Sequence, residues 1–231
     1  MLSDNYDQTL SHIAEACHQA GRKDDEVVLI AVSKTKPLEM LQELYAHGCR
    51  TFGENKVQEL TSKYEMMPKD VKWHMIGHLQ RNKVKYIIGK TELIHSVDSA
   101  RLAEEISKES QKQGIVTKIL IEVNIAGEET KYGVSVKELM PLIHEVSTMP
   151  NIAIQGLMAI APYVMNAEEN REYFAKLRQL SVDIIHENID NVDMNVLSMG
   201  MTGDYQVAIA EGSTMVRVGT GIFGERNYVL Q

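Results

Sequence analysis

Short runs rich in Val, Ile and Leu alternate with longer amphipathic stretches along the whole chain. The runs are Val27–Ser33, Thr51–Gly53, Val71–Ile76, Leu93–Val97, Thr117–Asn124, Ile152–Met158, Asp193–Leu197 and Thr214–Val218. Each is short enough for a strand buried on both faces, which reads as a near-continuous apolar run. A helical pattern near residues 3–21 precedes the first of them. Further helices are marked by Leu102 and Ile106 within Arg101–Gln113, by a stripe of Val136, Leu139, Met140, Ile143 and Val146 after Ser135, and by Tyr173, Leu177, Leu180 and Ile184. Pro37 sits where it can open a helix after the first strand. Strands that alternate with helices pair in parallel. Eight repeats in 231 residues predict one (β/α)8 barrel, a fold that takes about 200–250 residues. The expected domain is single and spans residues 1–231. An open doubly wound sheet is the weaker reading, because no GxGxxG follows the first strand.

Composition removes several functional classes. A net charge of −8 argues against a nucleic-acid surface, which needs clustered Lys and Arg. The densest basic stretch, Gln80–Lys85, reads as the solvated face and first turns of a helix. No apolar run approaches the ~20 residues that span a bilayer, and the polar N-terminus does not resemble a signal peptide. Cys17 and Cys49 have neither CxxC spacing nor a nearby His pair. Reduced thiols and a cytoplasmic protein are expected, with no metal site. The 13 methionines mostly fall on apolar stripes and read as core filler. His74, between Trp73 and Met75, reads as a satisfied core or helix-facing histidine.

A closed parallel barrel gathers the C-terminal ends of its strands on one rim, where sites are built. Lys34 follows the first strand with the parity of Val28, Ile30 and Val32, which puts it on their face. An amine among apolar residues at a barrel mouth is desolvated and available as a nucleophile. The alternative is a lysine reaching out into water. Lys36 shares the parity, but Pro37 should turn the chain away from the barrel axis. After the seventh and eighth strands, Ser198–Asp204 and Gly219-Thr220-Gly221 combine glycines with hydroxyls. Such loops close backbone N–H groups around an anion, and this pair of loops is the usual phosphate site of barrels. The plainer reading is that the glycines make tight turns. Arg217, two residues before Gly219, must find a partner if buried. Either a strand-end carboxylate or a ligand ring nitrogen could serve. An amine, a phosphate cradle and an arginine facing a ring nitrogen together suggest pyridoxal phosphate.

Six stretches then carry a resemblance. Ala31-Val32-Ser33-Lys34-Thr35-Lys36-Pro37, Phe52-Gly53-Glu54-Asn55 and Trp73-His74-Met75-Ile76-Gly77-His78-Leu79-Gln80 are three of them. Gly156-Leu157-Met158-Ala159, Leu197-Ser198-Met199-Gly200-Met201 and Val216–Gly224 complete the set. In order and over nearly the whole chain, they resemble the YggS/PROSC family of pyridoxal phosphate homeostasis proteins. The resemblance implies a fold like the N-terminal barrel of alanine racemase, with Lys34 forming a Schiff base to pyridoxal 5′-phosphate. It implies that Ser198, Gly200, Gly219 and Thr220 hold the phosphate and that Arg217 faces the pyridine nitrogen. Asn55, His78, Met158, Met201 and Thr202 would lie near the ring or the phosphate. Thr202 stands where serine is common and retains the hydroxyl. His78 stands where proline can occur, which argues against a catalytic role for it.

Three functions are compatible with such a site: a carrier or buffer of pyridoxal phosphate, an amino-acid racemase, or an aldolase whose lysine attacks a sugar phosphate directly. Bound colour would set the aldolase apart. Racemases resembling this barrel append a β domain with a tyrosine base, whereas this sequence runs only seven residues past Gly224. Racemisation needs one group to remove the α-proton and another to return it. Arginine does not surrender a proton, so the ring nitrogen should stay neutral and be a poor electron sink. A non-catalytic carrier is therefore expected. A monomer or weak dimer is expected too, with transient contact to pyridoxal phosphate-dependent apoenzymes.

Overall fold

The computed structural model describes residues 1–225; the last six residues of the expected domain, 226–231, lie outside the described residues. Eight strands form a closed barrel: β1 Val28–Val32, β2 Thr51–Glu54, β3 Lys72–Met75, β4 Leu93–Val97, β5 Thr117–Glu122, β6 Ile152–Met158, β7 Val192–Met201 and β8 Met215–Val218. Each pairs in parallel with its sequence neighbour, and β8 returns to β1 with Ile30 beside Arg217. The helices are α1 Leu2–Gln19, α2 Leu38–Ala46, α3 Val57–Met66, α4 Ala100–Gln113, α5 Val136–Ser147, α6 Arg171–His186, α7 Tyr205–Ala210 and α8 Thr220–Phe223.

Strand parity divides the residues into two sets. Outward ones, such as Leu29, Phe52, Trp73, Ile119 and Leu157, join the helices in the main core. A few inward ones form a small separate apolar cluster of Leu93, Leu120 and Met158, with Val196 and Met215 against it. Near its middle the bore turns polar.

Two elements differ from the sequence expectation. The seventh strand does not stop at Leu197 but runs on to Met201. Alternation continues there, with Ser198 inward and Met199 in the outer core, so ladder and packing both favour extended chain. The basic segment after β3 is a 3₁₀ helix, Arg81–Tyr86, rather than the start of an α-helix. Val84 is its single buried residue, too narrow a stripe to anchor α-helical turns.

The last two helices are short, at six and four residues, and α1 braces them. Asn5 donates to the Ile222 carbonyl at 3.1 Å, and Arg22 donates to the carbonyls of Ile209 and Ser213 at 3.0 and 2.8 Å. Asn5 of α1 and Arg22 just after it thus steady the two repeats that carry the glycine-hydroxyl loops.

Candidate functional site

Lys34 lies two residues past the end of β1, half-buried at the upper rim. The backbone on both sides of it is held. The Ser33 carbonyl accepts from Lys63 Nζ at 2.8 Å, and the Thr35 N–H donates to Glu59 Oε2 at 2.7 Å. Thr35 occupies the left-handed region at φ 64°, a conformation costly for a β-branched residue. Beneath this turn, Glu54 Oε1 accepts from Ser33 Oγ at 2.6 Å and from Lys63 Nζ at 2.7 Å. Glu54 is fully buried. Burial pushes its carboxyl up and Lys63 opposes that push. Lys36 has a separate task. Its Nζ donates to the carbonyls of Phe223, Gly224 and Glu225 at 3.1, 3.1 and 3.2 Å, closing the end of α8 away from the bore.

Arg217 points into the bore from β8 and is 4% exposed. Its Nη1 donates to Ser198 Oγ at 2.5 Å and its Nη2 to the Ala159 carbonyl at 3.0 Å. Its hydrogen-bond partners are a hydroxyl and a carbonyl rather than a strand-end carboxylate; Glu122 and Asp204 act on it through space. Burial lowers its pKa to about 10, so it remains a cation at neutral pH. Glu122, also buried, is pushed up to about 7, first by burial and then by Asp98, with Arg217 opposing. Beyond Ser198 the contacts continue: Ser198 Oγ lies 2.9 Å from His95 Nδ1, and His95 Nε2 lies 2.9 Å from His74 Nδ1. His74 is therefore a bore residue, not a helix-facing one. Burial lowers its pKa to about 4.

The expected placement of Ser198 in the phosphate loop needs correction. Because β7 continues to Met201, Ser198 sits inside the bore, fully buried, with its hydroxyl engaged by Arg217 and His95. Met158 is fully buried as well, packed with Leu93 and Leu120 in the small apolar cluster.

The other loop residues do gather. Thr202 Oγ1 lies 3.2 Å from Thr220 Oγ1 and accepts from the Gly221 N–H at 3.4 Å. This joins the loop after β7 to the first turn of α8, whose initial N–H groups have no partner within the helix. A Cβ on Gly219 would come within 3.5 Å of Val32, so this turn lies against the end of β1, just below Lys34. Gly200 has φ +92°, and a Cβ there would come 2.6 Å from Ala208 Cβ. Its glycine serves the packing of α7. The Met201 N–H donates to Asp204 Oδ1 at 2.6 Å, and Asp204 Oδ2 accepts from Asn170 at 2.9 Å; the Met201 side chain is exposed at the rim. Asn55 is half-buried, and its buried Oδ1 has no hydrogen-bond partner among the described residues. His78 is exposed and stacks on Tyr132, with centroids 4.0 Å apart and planes at 14°.

Sequence reasoning missed Glu59, Lys63, His95 and Tyr132, and it placed Glu122 and Asp204 at strand ends without giving either a role of its own. The i,i+4 pair Glu59–Lys63 was a readable signal, and Glu54 and Asn55 belonged to a recognised stretch. Nothing local marks His95, which meets Ser198 across 103 residues of chain.

The chain matches the model of the alanine racemase N-terminal domain over residues 7–227. It is 48% identical over 222 residues to the pyridoxal phosphate homeostasis protein of Aquifex aeolicus, covering 96% of each chain. The structure of PipY from Synechococcus elongatus with pyridoxal phosphate bound superposes with a TM-score of 0.80 at 35% identity, covering 92% of this chain and 100% of that one. Alanine racemase of Clostridium difficile shares the fold alone, at 15% identity and a TM-score of 0.75, with 97% of this chain matched to 57% of the enzyme. The chain belongs to the alanine racemase N-terminal-domain family and, within it, to the pyridoxal phosphate homeostasis proteins, the YggS/PROSC family.

Proposed function

We propose that this protein holds pyridoxal 5′-phosphate at the barrel mouth and buffers or delivers it without turning over amino acids. The observation that carries this reading is Arg217, a buried cation fixed as a donor by Ser198 and the Ala159 carbonyl. It lies in the bore beside Ile30, on the strand that leads to Lys34. The residues suit the cofactor. The buried Asn55 Oδ1 lacks a partner among the described residues and is an acceptor of the kind a bound polar molecule satisfies. The hydroxyls of Thr202 and Thr220 and the first turn of α8 offer donors for a phosphate. When bound, pyridoxal phosphate supplies an aldehyde that condenses with an amine and a ring that can take up electron density.

Each residue has a task in this reading. Lys34 is the attachment amine, and the Ser33 and Thr35 clamps limit where it can reach. Thr202, Gly219 and Thr220 hold the phosphate. Arg217 donates to the ring nitrogen and, staying charged, leaves that nitrogen without a proton, which weakens it as an electron sink. Ser198 positions Arg217, Gly200 shapes the loop, and Asn55, Met201 and Met158 border the ring or lie beneath it. His78 and Tyr132 flank the mouth. Residues 1–231 act as a single domain, as a monomer or weak dimer, and meet apoenzymes transiently when cofactor is passed on. Two buried free thiols, Cys17 and Cys49, support a reducing cytoplasmic setting. No helix among the described residues is long and apolar enough to cross a membrane.

Borohydride reduction of the purified, cofactor-loaded protein followed by peptide mapping tests the attachment. The adduct belongs on Lys34, and finding it mainly on Lys36 would overturn the assignment. Deuterium exchange at the α-carbon of alanine and serine tests the carrier reading. Exchange at an ordinary enzymatic rate, about 1–10³ per second, would restore an enzyme.

A further inference from the structure

The contacts behind Arg217 have a direction that can be deduced. Arginine only donates, so Ser198 Oγ must accept in the 2.5 Å contact. The serine then has one proton of its own, and His95 Nδ1 at 2.9 Å is its other contact among the described residues. Burial holds His95 well below the usual histidine range, so its ring carries a single proton. If that proton sat on Nδ1, Ser198 would receive two donors and its own O–H would be left unsatisfied in a closed bore, a costly state. The proton therefore sits on Nε2 and is donated to His74 Nδ1 at 2.9 Å. His74 in turn carries its proton on Nε2.

We propose that His74, His95 and Ser198 are positioning residues, forming a one-way relay across the bore that holds Arg217 as a fixed donor to the ring nitrogen. The relay runs from β3 through β4 and β7 to β8, so four strands share in setting one guanidinium. A serine alone could rotate and take Arg217 with it. A serine whose proton is committed to His95 presents its lone pair to Arg217 in one orientation, and His74 fixes the tautomer that makes this possible. The inference rests on the pyridoxal phosphate site proposed above.

The test has two arms. The first uses ¹⁵N-histidine-labelled protein without added cofactor at neutral pH, with ring nitrogens read by long-range ¹H–¹⁵N NMR. His74 and His95 should both be neutral Nε2–H tautomers. An Nδ1–H tautomer or an imidazolium at either position overturns the relay. In the second arm, pyridoxal phosphate labelled with ¹⁵N at the ring is titrated into wild-type, His95→Leu and His95→Gln proteins. Leu, which breaks the chain, should weaken binding about tenfold to a hundredfold and move the ring-nitrogen resonance. Gln keeps an acceptor and a donor on neighbouring atoms and should restore both. Equal loss in the two variants, or no shift with Leu, would assign His95 a purely structural part. If His95→Leu does not fold, Ser198→Ala and Ser198→Thr give the same comparison. Failure of wild-type protein to bind pyridoxal phosphate would strike the functional reading, while the tautomers of the first arm still decide the relay.

Discussion

Outside the barrel wall, Phe52 and Trp73 pair across β2 and β3 with ring centroids 5.8 Å apart, both almost fully buried against helices. One residue further along the same two strands, facing the bore, stand Gly53 and His74. The outer face gains from every apolar side chain removed from water. The bore at this height holds His74, His95, Glu122, Ser198 and Arg217, all buried, and each must offset its lost hydration with a partner or a shifted proton equilibrium. The same strands thus divide their labour by parity. Stability resides mainly in the shell, and the bore gives some of it up to hold polar groups where a ligand can meet them.

The largest test of this division is on the shell. Trp73→Ala should destabilise the protein by about 3–5 kcal/mol in urea denaturation, through lost burial and the cavity left behind. Below the denaturation midpoint it should leave pyridoxal phosphate affinity close to wild type. A collapse of affinity in folded protein would show that shell and bore are not separable.

The next effect is in the bore and depends on pH. The Glu122 carboxyl moves from 4.5 up to about 7 on folding, so its stabilising contribution is complete below 4.5 and is lost as pH rises through 7. Glu122→Gln should therefore be more stable than wild type at pH 8, by up to about 3 kcal/mol. His74 works in the opposite sense. Its pKa falls from 6.5 to about 4 on folding, so its contribution is present above 6.5 and is lost as pH falls through 4; His95 is lowered too. In wild type the two trends offset each other between about pH 4.5 and 6.5. Glu122→Gln should expose the histidine limb as a steeper loss of stability on acidification, measured by urea midpoints across that range. Parallel pH profiles for the two proteins would refute the assignment.

A smaller effect is expected where shell and site meet. Lys36→Met removes three charge-assisted contacts to the end of α8. It should cost about 1–2 kcal/mol and weaken binding of pyridoxal phosphate more than that of pyridoxal, because α8 follows the loop proposed to hold the phosphate. Equal weakening for both vitamers would detach Lys36 from the phosphate. The smallest change should come from the solvated exterior. Glu65→Gln disrupts a surface pair with Lys90 and should leave the urea midpoint unresolved from wild type.

Several features were readable before any coordinates. The eight apolar runs located all eight strands, because strands buried on both faces need continuous Val, Ile and Leu. The rim position of Lys34 was legible from its place just past the first strand, and the turn of Lys36 away from the bore from Pro37 beside it. The loops around Thr202 and Gly219 were legible from glycine and hydroxyl together. What the alternation hid was the end of β7: Ser198 and Gly200 look like turn residues, and only the ladder shows that the strand passes through them to Met201.

By itself the sequence determined the barrel, its order of elements and the rim where chemistry gathers, since these follow from local periodicity and chain length. Only the tertiary structure decided what Arg217 touches. Periodicity can say that a residue faces inward, but not which inward residues lie at one height. That depends on register shifts in β4, β6 and β7 and on closure of β8 against β1. His74, His95, Ser198 and Arg217 come from four strands, and no short segment contains two of them. They become a connected set when the barrel closes, because closure alone brings groups so distant in sequence to hydrogen-bonding range and excludes the water that would otherwise satisfy them.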